Sequence, residues 1–101
     1  MHITFVKKVA RPGKPCNKCA QVEQDLRENG HWDSIDSVLV ADERIEDSAG
    51  LRLATALGIS QAPFFVVKDD DDGIRLYTIY LKFVAEVLAQ QDDRMPVDAA
   101  A

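Results

Sequence analysis

The chain has 101 residues, 47% of them hydrophobic and 29% charged, with a formal net charge of −5 at pH 7. This length allows one domain with a single core, and the composition is that of a globular protein. The acidic balance argues against a nucleic-acid partner, because no basic stripe is present to neutralise phosphates. No segment approaches the roughly 18 apolar residues of a membrane span, and the N-terminal apolar run is too short for a signal peptide. We therefore expect a cytoplasmic monomer without a membrane partner.

The first pattern is a strand followed by a helix. Residues 3–8 form a β-branched and aromatic run that ends at an Arg-Pro-Gly sequence, which predicts a strand and a loop. After Cys16, the apolar residues Cys19, Val22 and Leu26 recur at spacings of three and four. This periodicity predicts an amphipathic helix, and the Asn-Gly pair at 29–30 is its stop signal.

A second strand and a second helix follow. Residues 35–41 contain an apolar run at 38–40 that is typical of a strand covered on both faces. Asp47 or Ser48 is expected to cap the next helix, and Gly58 is expected to end it. The apolar stripe of that helix is expected to consist of Ala49, Leu53, Ala56 and Leu57.

The last third of the chain predicts a hairpin and a final helix. Residues 64–67 and 74–77 read as strands joined by an Asp-Gly turn. A helix near 81–91 is expected to bury Phe83, Val84, Val87 and Leu88. The order βαβ-α-ββ-α predicts an α/β fold: a four-stranded mixed sheet in a three-layer sandwich. We assign residues 1–91 to this domain and 92–101 to a flexible C-terminal tail.

Both cysteines of the chain lie in the motif Cys16-Asn17-Lys18-Cys19, which follows the first predicted strand and its loop. A structural disulfide is disfavoured in a reducing compartment, where a bridge over so short a loop would also constrain the unfolded chain little. Half of a metal site and a redox centre remain as alternatives, since CxxC occurs in both. His2 and His31 have no spacing that makes a metal site with the cysteines, so no metal ligand is assigned.

Together with the Ala62-Pro63 pair that opens a hydrophobic strand, the motif makes the chain resemble the thioredoxin superfamily, especially its short glutaredoxin-like members. The resemblance covers roughly residues 1–91. It implies a dithiol–disulfide oxidoreductase that needs no cofactor, a cis Pro63 facing the cysteines, and substrate contacts at Pro15, Ala62 and Pro63. From the local sequence alone a trans bond remains the common form.

Dithiol exchange fits the expected position of each cysteine. Cys16 at a helix N-terminus should have a lowered thiol pKa and act as the nucleophile, while Lys14 and Lys18 add a small favourable field. Cys19 lies on the apolar stripe, so it should be the more buried sulfur and resolve the mixed disulfide. The substrate would be a disulfide-containing protein or a small thiol.

Two departures from the family pattern bear on the reductant. Asn17 and Lys18 stand where thioredoxins usually have Gly-Pro and glutaredoxins Pro-Tyr. The Gly-Gly turn with which glutaredoxins hold the glutathione tail is absent from residues 76–81. We therefore expect weak reduction by glutathione and better reduction by a dithiol or a reductase.

Two other functions stay open at this point. The first is a metal or iron–sulfur binding module, which needs a dimer because one chain supplies two thiolates and such sites usually take four ligands. The second is a thioredoxin-fold interaction module without catalysis.

Overall fold

The computed structural model of the protein describes residues 1–10 and 13–89. The predicted tail and the end of the last predicted helix, residues 90 and 91, lie outside these ranges. The five strands are β1 (His2–Ala10), β2 (Lys14–Pro15), β3 (Ser37–Asp42), β4 (Phe64–Lys68) and β5 (Ile74–Tyr77). The helices are α1 (Asn17–Glu28), α2 (Ala49–Leu57) and α3 (Tyr80–Phe83), which continues as a π-helical segment over Val84–Leu88, and Trp32–Ser34 form a 3₁₀ turn.

The strands form one mixed sheet with β1 at its centre. β3 runs parallel to β1 along one edge, β4 runs antiparallel along the other, and β5 pairs with β4. Val9 of β1 pairs with Asp42 of β3 on one side and with Pro15 of β2 on the other. β2 therefore lies on the same side of β1 as β4, next to the part of β1 that extends past the first residue of β4. The expected four strands are therefore joined by a fifth, the two-residue β2.

Helices cover both faces of the sheet, which gives three layers. On one face, Phe5 of β1 packs with Leu26 of α1 and with Phe83 at the end of α3. On the other face, Val6 packs with Ala54 of α2 and Phe64 of β4. Because successive strand residues point to opposite faces, neighbouring residues of β1 serve two separate cores.

The prediction that the strand over residues 35–41 is covered on both faces was wrong. Val38 of β3 is 39% exposed, and only Ala41 and Asp42 of this strand are buried. The reason is position, since within the described chain β3 pairs with β1 alone and is an edge strand. A short apolar run has the same appearance in an edge strand as in a central one.

The predicted apolar stripe of α2 was partly wrong as well. Ala49 and Ala56 are exposed, whereas Gly50 and Ala54 are buried and Leu53 and Leu57 are half-buried. The face of α2 that contacts the sheet is shifted by one residue from the predicted one. Gly50, which has no side chain, lies so close to β3 that a Cβ placed there would collide with the backbone of residues 40 and 41. Ser48 precedes the helix but makes no side-chain cap.

Candidate functional site

The two cysteines lie where β2 passes into α1. Cys16 is the N-cap residue of α1, and its Sγ accepts a hydrogen bond of 3.0 Å from the backbone N–H of Cys19. The two sulfurs lie at disulfide distance, with Cα atoms 5.1 Å apart. Cys16 is half-buried and Cys19 is 3% exposed, as the apolar periodicity of the helix predicts. The more accessible sulfur thus lies at the positive end of the helix dipole.

A cavity of about 370 Å³ opens beside the sulfurs, between α1 and the second half of β1. Its lining includes Pro15 and both cysteines, together with charged side chains that the motif analysis did not single out. These are Lys7 and Lys8 of β1, and Glu23 and Arg27 of α1. The signal for the two helical residues was in the sequence, because Glu23 and Arg27 follow Cys19 at intervals of four and so share its side of the helix.

Glu23 makes two ion pairs, one with Lys7 of β1 and one with Arg27 in its own helix. One carboxylate oxygen lies 3.5 Å from the Lys7 ammonium, and the other accepts hydrogen bonds of 3.2 and 3.3 Å from Nη2 and Nε of Arg27. The Arg27 guanidinium also lies over the Trp32 ring, 4.2 Å from its centroid. These contacts link three charged side chains that line the same cavity as the sulfurs.

The two lysines that we expected to stabilise the Cys16 thiolate are exposed to solvent. Lys14 in β2 and Lys18 in the first turn of α1 are both exposed, and neither lines the cavity at the sulfurs. Pro15, also exposed, pairs with Val9 in the short β2 strand. Pairing of β2 with β1 therefore positions the residue immediately before Cys16.

The Ala62-Pro63 peptide bond is cis, as the family resemblance implies. Pro63 is buried at the start of β4, and Ala62 lines a second cavity of about 310 Å³ on the α2 face of the sheet. The strand register brings the pair toward the cysteines: Phe64 pairs with Val6 and Pro15 with Val9, along one edge of β1. Three strand residues span roughly 10 Å, so the start of β4 and the start of α1 lie at the same end of the sheet.

The acidic residues at the end of β3, Asp42 and Glu43, do not line the sulfur cavity. Asp42, which is 7% exposed, accepts hydrogen bonds from the Arg44 guanidinium, one of them 2.8 Å long. These bonds and the backbone N–H of Arg44 lower the pKa of the Asp42 carboxyl to about 2. A carboxylate with so low a pKa is a weak proton acceptor. The acid that shares a cavity with Cys19 is Glu23.

No protein-family model, curated protein or solved structure matches the chain. Among residues 1–10 and 13–89, no three His, Cys, Asp or Glu side chains are grouped so that they could hold a metal ion. The same residues contain no helix of the length and apolar character that crossing a membrane requires.

Proposed function

We propose that this protein is a thioredoxin-like thiol–disulfide oxidoreductase in which Cys16 attacks and Cys19 resolves. The observation that carries the proposal is the asymmetry of the two sulfurs. Cys16 is half-buried and its Sγ accepts a hydrogen bond from an N–H at the start of α1, whereas Cys19 is 3% exposed. Unpaired N–H groups at a helix N-terminus stabilise a thiolate, which is the reactive form of cysteine.

The reaction needs only the two cysteines and a disulfide, RSSR. The Cys16 thiolate attacks one sulfur of RSSR, which forms a mixed disulfide and releases one thiolate, RS⁻. Cys19 then loses its proton and attacks Cys16 Sγ, which closes the protein disulfide and releases the second RS⁻. The protein dithiol is thereby oxidised, and RSSR is reduced to two thiols. An external dithiol returns the protein to its reduced form by the same two exchanges.

The arrangement of the chain supports a thioredoxin-like assignment. The CxxC follows the central strand β1 at the start of α1, and Pro63 opens β4 at the same end of the sheet. The parallel pair β1 and β3 and the antiparallel pair β4 and β5 form one continuous sheet between helical layers. A reducing compartment such as the cytoplasm, with a dithiol or a reductase as electron donor, suits this activity.

The test is a disulfide-reduction assay on the wild type, Cys16→Ser and Cys19→Ser, with a dithiol or glutathione as the reductant. We expect activity in the wild type with the dithiol, no activity in Cys16→Ser, and a trapped mixed disulfide in Cys19→Ser. Wild-type protein that reduces no disulfide with either donor would overturn the proposal. Zinc or iron bound at about one metal per two chains would instead indicate a site of four thiolates in a dimer.

A further inference from the structure

The cavity beside the sulfurs has a charge opposite to that of the whole chain. The chain carries a net charge of −5, yet the charged residues that line this cavity are Lys7, Lys8 and Arg27 on the positive side and Glu23 on the negative side. Lys8 also lines the other cavity, where its ammonium lies 3.8 Å from Glu43. With Glu43 included, the group still has one positive charge in excess.

Two of these cations contact one carboxylate, although the side chains of Lys7 and Arg27 both remain partly exposed to solvent. Glu23 contacts Lys7 through one oxygen and Arg27 through the other, so a single carboxylate orients both cations. The Arg27 guanidinium also stacks over the face of the Trp32 ring. The bonds from Arg27 to Glu23 use Nε and Nη2, and its Nη1 group has two further N–H donors with which it can bind an anion. A preoriented guanidinium is well suited to recognise a carboxylate.

From this geometry we infer that the cavity selects small disulfides that carry carboxylates. The inference rests on the proposed function and names its substrate class. The volume of about 370 Å³ lies within the range of small-molecule sites, and both sulfurs are part of the lining. Lys7, Arg27 and both cysteines line this one cavity, so a disulfide bound within it could contact a cation and Cys16 together.

A series of aliphatic disulfides that differ in charge tests the inference. The series consists of 3,3′-dithiodipropionate (dianion), 2-hydroxyethyl disulfide (neutral) and cystamine (dication). Reduced protein is mixed with an excess of each disulfide, and the loss of protein thiols gives a second-order rate constant for oxidation of the protein. Each constant is divided by that for free 1-thioglycerol, a neutral thiol that none of the three disulfides releases, which removes differences in intrinsic reactivity.

One exposed contact between charged groups changes a rate constant by up to about fivefold. Attraction of the dianion and repulsion of the dication both raise the ratio of their constants. We therefore expect the normalised constant to be about tenfold higher for the dianion than for the dication at low salt. High salt should reduce the ratio, since the cavity is open to solvent. Arg27→Gln should lower the constant for the dianion by a larger factor than the constant for the neutral disulfide. Arg52→Gln is the matched control, because it makes the same change in charge at an exposed position of α2.

A pair of variants at Gln24 distinguishes an effect of charge from a loss of activity caused by misfolding. Gln24 lines the cavity and is exposed, so charged side chains can be accommodated there. Gln24→Lys should raise the ratio of dianion to dication several-fold above that of Gln24→Glu. Equal ratios in these two variants, or a wild type without preference among the three disulfides, would overturn the inference while the proposed function stands. A wild type that reacts with none of the three would instead contradict the proposed function itself.

Discussion

Replacing Gly50 by alanine should destabilise the protein, although alanine is the better helix former. Gly50 is buried in the first turn of α2, where the helix lies against β3. A Cβ at this position would collide with the backbone of Val40 and Ala41. Because the colliding atoms belong to the main chain of a strand, no side-chain rotation can relieve the contact. The helix would have to move away from the sheet.

Two opposing effects set the size of the change in the free energy of unfolding. Exchange of glycine for alanine within a helix stabilises by about 1 kcal/mol. Overpacking of a closely packed interior costs about 1–3 kcal/mol, and contact with backbone belongs at the upper end of that range. Displacement of α2 would also loosen the packing of Ala54 against Val6 and Phe64. We therefore expect a net loss of about 2 kcal/mol.

Urea unfolding followed by circular dichroism measures this change. With a urea dependence of about 1–3 kcal/mol per molar, the midpoint for Gly50→Ala should fall by roughly 1 M. Ala56→Gly, at an exposed position of the same helix, is the reciprocal control and should cost about 1 kcal/mol through helix propensity alone. If Gly50→Ala were as stable as the wild type or more stable, the close packing of α2 on β3 would be refuted.

Two further predictions concern acid stability and the core. The pKa of Asp42 is lowered from 3.8 to about 2 by its bonds to Arg44, so the stability that this carboxylate contributes is complete above pH 3.8 and is lost as the pH falls through about 2. Asp42→Asn should remove this part of the acid dependence, and unfolding curves of the two proteins that change in parallel over this pH range would contradict the assignment. Phe83 is fully buried and stacks on Phe65 with ring centroids 3.9 Å apart, so Phe83→Ala should cost about 3–5 kcal/mol in urea unfolding. A cost below about 1 kcal/mol would show that the ring does not fill the core.

Much of the fold follows from local patterns. The periodicity of Cys19, Val22 and Leu26 predicted α1 and its buried face, and all three side chains are buried. The hairpin of β4 and β5 was predicted from two strand runs around an Asp-Gly turn, and the structure has this hairpin. These elements are predictable because a repeat of 3.6 or 2 residues directly sets which side chains face the core.

The errors arose where tertiary contact rather than periodicity decides. Gly50 has no side chain to contribute to an apolar stripe, but this very absence lets α2 approach β3. The prediction for β3 relied on its apolar residues. Val38 is exposed because β3 is an edge strand, which pairs only with β1 among the described residues. β2 has two residues and no pattern of its own.

For the candidate site, the sequence indicated the cysteines but not their charged surroundings. CxxC is recognisable because both cysteines lie in one short segment. Lys7 is far from Cys16 along the chain, and it reaches the same cavity only because β1 lies beneath α1. Glu23 and Arg27 share the side of Cys19 on α1, yet charged residues at such spacings are common on helices and do not by themselves mark a site.

The most direct test of the central claim is the alkylation of reduced protein with a limiting amount of iodoacetamide across a range of pH, with each cysteine followed by mass spectrometry. The account predicts that Cys16 is modified first, with a half-maximal rate at a pH clearly below about 8.5, the ordinary value for a free thiol. Cys19, which is 3% exposed, should react far more slowly. Equal rates for the two cysteines, both with the pH dependence of an ordinary thiol, would contradict the assignment of Cys16 as the nucleophile.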